Sequence, residues 1–444
     1  MRLPEHFVNR MKTQLGESYE AFAASYDREH YVSLKINTLK ISVEKFLEIF
    51  PYPLTPVPWT EDGFYYRPED PVTKHPYFYA GLFYVQEPSA MSPVVALAPK
   101  PGDVCLDTCA APGGKSMQIA THIHDQGLLV TNDINETRVK AILRNTEKFG
   151  LRNVLILNES PDRIANTIGN HFNRILVDAP CSGEGMFRKD PRAVKSYETF
   201  GPLACQAMQR EIIDQLVGLA AVNAAIVYST CTFAPEENED QIQYLLENPS
   251  QFVSRDITIN TTDYDDASKC YMTHIWPHRH MGEGHFIASI QATDNFVPRV
   301  ETEKYSENQP PEAFVEFMVT HLTHPMTGYF SLIGEKLYLK PELKVPTKGL
   351  KVVREGLLLG EIKKDRFTPS QALAMYLKMQ DFHPVLDLPA TGDEVIRYLK
   401  GETVFVTSEY SGLHLVCTDG YPIGFAKIAN GTLKNMYPVS WRMM

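Results

Sequence analysis

Val104-Cys-Leu-Asp-Thr-Cys-Ala-Ala-Pro-Gly-Gly-Lys115 decides how the rest of the chain is read. A short apolar run gives way to a turn of small residues with two glycines, and then to helix-compatible sequence. Such a strand–turn–helix lets backbone N–H groups and the positive end of a helix face a ligand closely. The spacing is neither that of a GxGxxG dinucleotide fingerprint nor that of a GxxxxGK[ST] phosphate loop. Working outward, Leu128-Leu-Val-Thr, Val154-Leu-Ile-Leu, Arg174-Ile-Leu-Val-Asp and Ala225-Ile-Val-Tyr-Ser are further apolar runs. They alternate with helix-length stretches such as 136–149 and 203–221. This rhythm predicts an α/β fold with a parallel sheet covered on both faces. Ligands of such sheets sit beyond the carboxyl ends of the strands.

The unusual residues fall at those ends. Asp133 follows the second run about twenty residues after the glycine turn, a position suited to the hydroxyls of a ribose. Taken alone it reads equally well as a helix cap; with the glycine turn it suggests an adenosine-containing cofactor. The fourth run leads into Asp178-Ala-Pro-Cys181-Ser-Gly, and the fifth into Tyr228-Ser-Thr-Cys231-Thr-Phe ahead of a helix opening Pro235-Glu-Glu-Asn-Glu. Most free cysteines are small buried fillers. Here both sit just past apolar runs in loops of Ser, Thr, Gly and Pro. Lys115 and a following helix N-terminus supply the positive surroundings that favour a thiolate.

A thiolate beside an adenosine cofactor suits methylation of a pyrimidine at carbon-5. That carbon is too weak a nucleophile to attack a methyl sulfonium directly. Addition of a thiolate to carbon-6 makes it enamine-like, dividing one hard step into easier ones. Asp178, if protonated or bridged by the base's amino group, would stabilise charge at N3 and N4. Spacing alone leaves open which cysteine attacks.

Composition sets outer limits. The chain has 444 residues, 43% hydrophobic and 22% charged, ordinary for a globular protein; the length gives a prior of roughly three structural units. The longest nearly apolar run, around 216–227, is interrupted by Asn223 and is short of the roughly 18 residues a membrane span needs. The first residues lack a signal-peptide core. We therefore expect a cytoplasmic protein with no membrane partner. Seven cysteines form neither a disulfide framework nor a CxxC zinc pattern. His274, His278, His280 and His285 crowd one stretch, but nothing completes a metal set, so a polar or substrate-facing hairpin is expected and no metal. The net charge of −11 is uneven: residues 336–366 carry nine basic against four acidic side chains. They read either as a solvated face or as a surface for the phosphate backbone of a nucleic acid.

Organisation follows from these changes. Residues 1–90 mix helical and extended stretches around a proline-rich segment at 51–58. Residues 91–295 carry the α/β pattern. A polar stretch at 295–311 reads as a linker, 312–385 is basic, and 390–444 is β-rich with glycine turns.

Cys109-Ala-Ala-Pro-Gly-Gly-Lys115, Asp178-Ala-Pro-Cys-Ser-Gly183 and Ser229-Thr-Cys-Thr232 together resemble the motif set of the Sun/nucleolar-protein (NOL/NOP/Sun) family of RNA cytosine-C5 methyltransferases. Tyr79-Ala-Gly-Leu-Phe-Tyr-Val-Gln-Glu-Pro-Ser-Ala and Pro277-His-Arg-His-Met-Gly-Glu-Gly-His-Phe-Ile-Ala are also similar to family segments. Glu184-Gly-Met-Phe-Arg-Lys-Asp190 and the long C-terminal extension look like the bacterial RsmF-like branch. The resemblance implies a Rossmann-like class I methyltransferase domain, a small N-terminal α+β domain of RNA-binding type, and C-terminal α+β and PUA-like modules. Gly420-Tyr-Pro-Ile-Gly-Phe-Ala-Lys427 and Gly431-Thr-Leu-Lys-Asn-Met-Tyr-Pro438 carry the PUA likeness.

It further implies Cys231 as nucleophile and Cys181 as the cysteine that assists product release. Cys109, Ala110, Ala111, Pro112, Gly113, Gly114, Lys115, Asp133 and Asp178 would bind S-adenosyl-L-methionine. The family's acidic residue after the third strand is replaced by Asn158-Glu-Ser-Pro161, leaving Glu159 as the nearest carboxylate for the adenine side. The implied partner is ribosomal RNA or the small ribosomal subunit. A transfer-RNA methyltransferase shares the catalytic set, and a non-catalytic assembly factor is the reading from another class. The sequence is silent on oligomeric state.

Overall fold

The computed structural model describes residues 3–259, 270–294, 300–406 and 411–444. Its centre is one sheet. Five parallel strands, β1 (Val104–Asp107), β2 (Leu128–Asn132), β3 (Val154–Leu157), β4 (Phe172–Asp178) and β5 (Ala220–Thr230), lie in the order β3-β2-β1-β4-β5. Alternation along each strand explains the double covering. Leu106, Val130 and Ile175 enter a core on one face, while Cys105, Leu129 and Leu176 enter another on the opposite face. The order reverses between β1 and β4, so a crevice opens where their loops diverge.

An antiparallel strand covers each edge of the parallel set. Beyond β5 lies β8 (His285–Ala292), antiparallel, whose free side pairs with β6 (Phe252–Ser254) and β7 (Met272–Ile275). Beyond β3 lies β9 (Val352–Glu355), antiparallel and contributed by the basic C-terminal segment. An unpaired β3 would expose a row of backbone N–H and C=O groups.

Helices α1 (Gly114–Ile123), α2 (Glu136–Phe149) and α3 (Pro161–Thr167) follow β1, β2 and β3, and α4 (Pro191–Ile213) precedes β5. Helix α4 departs from the expected helix at 203–221. It starts at Pro191, capped by Asp190 accepting from Arg192 N, bends at Gly201 (φ 65°) before Pro202, and ends at Ile213. A one-turn helix, Leu216–Leu219, follows, and Ala220 is already strand, paired with Phe172 of β4. Ala220 and Ala221, which read as the end of the helix, are claimed by their neighbour's unpaired edge.

Four antiparallel strands of the N-terminal domain, Thr55–Pro56, Gly63–Tyr65, Ser33–Ile36 and Phe83–Val85, form a separate sheet. Two more sheets, of four and five strands, build the C-terminal half. These parts share cores. Phe314, Leu337 and Leu373 pack with Leu415 and Phe425, and Leu34 and Phe83 with Val395, Tyr398 and Trp441. The expected linker also needs correction in its second half. Residues Glu303–Lys304 pair with Leu343–Lys344, and Tyr305 stacks on Tyr329 at 4.7 Å; residues 295–299 lie outside the described residues.

Candidate active site

The register of the central sheet brings the two cysteine loops together. Asp178, at the end of β4, lies opposite Ser229 of β5. Each loop then runs three or two residues further, and the sulfurs of Cys181 and Cys231 meet at 3.3 Å. The hydrogen bond with Cys231, reinforced by burial, pushes the Cys181 thiol well above the ordinary cysteine range. Either sulfur can donate in this contact.

Asp178 sits beside them. Lys115 Nζ donates to its Oδ2 at 2.8 Å and Ser229 Oγ to its Oδ1 at 2.9 Å, while His285 Nε2 lies 3.6 Å from Oδ1. Burial alone would raise the Asp178 carboxyl, but Lys115 and His285 hold it well below the usual carboxylate range. Burial opposes the charge on Lys115 too, and Asp178 outweighs it and raises Lys115. Asp178 is thus an ionised acceptor.

Buried acids brace the cysteine loops from behind. Glu237 accepts from Ser182 N at 2.9 Å, from Ser182 Oγ, and from Gln209 Nε2 at 3.0 Å. Burial pushes it up to about 7 against these donors. Glu184 accepts from Phe233 N at 2.9 Å and pairs with Arg10 of the N-terminal domain at 2.5 Å. Arg188 pairs with Glu283 at 2.8 Å and donates to Ser25 O at 2.7 Å.

A cavity of about 620 Å³ opens on the cysteine pair. Cys109, Ala111, Asp133, Asp178, Cys181 and Cys231 line it, as expected. Asp133 accepts from Ala111 N at 3.3 Å and Asn135 N at 2.9 Å, with Arg138 3.5 Å away. Ala110, Pro112, Gly113 and Gly114 shape the turn behind the wall: Gly113 (φ 109°) caps α1, and Asn145 Nδ2 holds Pro112 O at 2.8 Å. Burial pushes the Cys109 thiol to about 12, so it is a wall and not a nucleophile.

Glu159 departs from expectation. Its carboxylate accepts from Lys351 N at 2.5 Å and lies 3.4 Å from Arg163, and it does not line the cavity. The exposed Asp162, in the first turn of α3, lines it instead. The start Ser160-Pro161-Asp162 was the available signal. Arg138 and the α4 face with Met208, Glu211 and Ile212 also line it, and no local motif marks them.

The histidine stretch is structural for the most part. His274 is buried and stacked on Trp276 at 4.5 Å, and His285 reaches Asp178. Among the described residues no group of three or more His, Cys, Asp or Glu is arranged to hold a metal. The basic segment is partly spent internally: Lys340 pairs with Glu355 at 2.5 Å and Arg354 with Glu147 at 2.7 Å. Lys336, Lys348, Lys364 and Arg366 remain exposed.

Residues 94–291 match the family profile described as 16S rRNA methyltransferase RsmB/F. Profiles for the RsmF N-terminal domain, first C-terminal domain and PUA domain match residues 3–88, 316–377 and 385–443. Ribosomal RNA small subunit methyltransferase F of Enterobacter sp. is 30% identical, covering 98% of this chain and 95% of the relative. The chain belongs to the RsmF family of 16S rRNA methyltransferases. Another family member, from Vibrio vulnificus, is also 30% identical over 98% of this chain and 97% of its own length. A methyltransferase homolog protein from Pyrococcus horikoshii, whose structure is solved, is 30% identical with a TM-score of 0.55; the match covers 65% of this chain and 95% of that one. The RsmF profiles and the fold agree on a Rossmann-like methyltransferase domain flanked by an N-terminal domain and a PUA domain. Among the described residues no helix is long and apolar enough to cross a membrane.

Proposed function

We propose that this chain transfers a methyl group from S-adenosylmethionine to carbon-5 of a cytosine in 16S ribosomal RNA, through an adduct between Cys231 and carbon-6. The observation that carries this reading is the 3.3 Å approach of two cysteine sulfurs beside an ionised aspartate at the mouth of one cavity. The cavity fits the cofactor in character. It has the buried Asp133 carboxylate at one strand end for ribose hydroxyls, backbone from the glycine turn, and space within the range of small-molecule sites. S-adenosylmethionine supplies an electrophilic methyl group when bound.

The chain's own residues do the rest. The Cys231 thiolate forms a bond to carbon-6, and the electrons of the 5,6 double bond move to carbon-5, which takes the methyl. Asp178, held ionised by Lys115, accepts from the base's amino group and fixes the ring over the sulfur. The carbon-5 proton then leaves to solvent, the double bond re-forms, and the bond to Cys231 breaks. Cys181, protonated and adjacent, donates to the departing sulfur and regains its proton from solvent. The target nucleotide is unpaired or flipped out to reach the pocket. Segments 1–90, 312–385 and 390–444 act as the RNA-holding parts around the catalytic segment 91–295, and the enzyme works in the cytoplasm, where small subunits are assembled.

The test uses labelled methyl transfer to 16S RNA followed by a denaturing gel. Cys231→Ala is expected to abolish turnover, by about 10⁴-fold or more for loss of a nucleophile. Cys181→Ala is expected to accumulate a covalent RNA adduct. An adduct retained by Cys231→Ala and lost in Cys181→Ala reverses the two roles. Bisulfite sequencing of ribosomal and transfer RNA from cells with and without the gene checks the substrate; unchanged 16S RNA with altered transfer RNA overturns it.

A further inference from the structure

A second cavity, about 380 Å³, lies where the N-terminal domain, helix α2 and the C-terminal domain meet. Its walls include Phe78 and Tyr79 from the first, Arg144 and Lys148 from the second, and Tyr437 and Trp441 from the third. The set is four aromatic rings and two cations, and no carboxylate lines it. Lys148 is buried with its Nζ 3.0 Å from the centre of the Phe78 ring, and burial, with Arg144 and Lys40 nearby, pushes its ammonium well below the ordinary lysine range, so the charge it carries has no carboxylate to hold it. Tyr437 is buried, and its hydroxyl has no hydrogen-bond partner among the described residues. Native buried hydroxyls are normally satisfied, so an orphan one at a cavity wall points to a missing partner. Arg144 is exposed at the rim.

We propose that this cavity binds one nucleotide of single-stranded RNA, its base against the aromatic rings, its phosphate on Arg144 at the rim, and a base edge or ribose hydroxyl on Tyr437. The chemistry selects the ligand. Flat rings stack on any base, and the exposed Arg144 guanidinium, with no carboxylate in the cavity wall, attracts phosphate. An acidic peptide would satisfy the cations and leave the rings unused. The site is distinct from the cofactor cavity. Arg138 lines that cavity and Arg144 this one, on the order of 10 Å apart along α2 at 1.5 Å per residue. The inference rests on the reading that the substrate is RNA, and it makes this junction an anchor for the strand on either side of the target base.

The test is fluorescence anisotropy of a labelled single-stranded octaribonucleotide with the full chain, across a salt series. Arg144→Glu, at an exposed position, is expected to weaken binding about tenfold and to lower the salt slope by about one. Trp441→Leu is expected to weaken it about fivefold or more through lost stacking; melting temperature and circular dichroism check that each variant is folded. Ultraviolet cross-linking of the wild type is expected to place the RNA on Phe78, Tyr79 or Trp441. Wild-type affinity retained in a folded Arg144→Glu, with cross-links elsewhere, overturns the site and leaves the RNA reading intact. Absence of wild-type binding overturns both. Adenosine monophosphate is the second probe. If it binds as tightly as the octamer and displaces it fully, the ligand is a free mononucleotide, and the RNA form of the proposal fails.

Discussion

The two sides of the central sheet hold similar charges and use them in opposite ways. On the β4/β5 side, Asp178 and Cys231 are left facing a cavity, with Lys115, Ser229 and His285 tuning them. On the β3/β9 side, Glu159 is occupied by the Lys351 backbone and Arg163, Arg354 by Glu147, and Lys340 by Glu355. The difference teaches what makes a charge chemically available. A charged group works on a ligand only where the fold leaves a lone pair or a proton unspent, and the far side has spent nearly all of its own.

Substitutions can break that contrast. The largest effect is expected for Lys115→Met. Without the ammonium, burial dominates and Asp178 rises toward neutrality, so methyl transfer falls about 10²–10³-fold, typical for loss of one electrostatic partner. A depressed carboxylate is ionised above its pKa and loses that charge as pH falls. The acid limb of kcat/KM should therefore move to higher pH in Lys115→Met, with a greater loss at pH 6 than at pH 8.5. An unmoved limb would detach Asp178 from the chemistry.

Next in size is Arg10→Ala. It leaves the fully buried Glu184 carboxylate without its cation, and breaking such a pair costs about 3 kcal/mol or more in stability. Chemical denaturation of the full chain measures it. Then the two carboxylates that the sequence nominated for the cofactor should part company. Asp133→Asn is expected to weaken S-adenosylmethionine binding about tenfold, as for a lost charged hydrogen bond, and Glu159→Gln to leave it within about twofold, since that carboxylate faces the other way. Equal losses in calorimetric titration would erase the distinction between the sides. The smallest change belongs to the surface: Lys363, paired with Glu335 and Glu361 in solvent, should leave the denaturation midpoint unchanged on mutation to Ala.

The same contrast explains what could be read in advance. The cysteine side was legible because each piece is local: an apolar run, then a short loop carrying one reactive residue, with parallel register aligning the loops. The far side was not, because its contacts join distant residues. The Glu159 bond to Lys351 spans 192 positions and the Arg10 bond to Glu184 spans 174. Glu159 looked available because the strand that consumes it lies almost two hundred residues further on. The share of the basic segment that is spent internally was hidden for a related reason, since the acids that pair with Arg354 and Lys351 sit on α2. The strand start at Ala220, two residues inside the expected helix, shows the third limit: alanines at an element boundary take the conformation that a neighbour's hydrogen bonds demand.

Strand β9 carries a consequence for synthesis. The ribosome releases β1 to β8 long before residues 352–355 emerge, so for that interval β3 presents a bare rim to any extended chain nearby. A copy cut short before residue 352 keeps every reactive group of the cavity and yet lacks the segment that seals it. Such fragments should clump where the whole polypeptide stays dispersed.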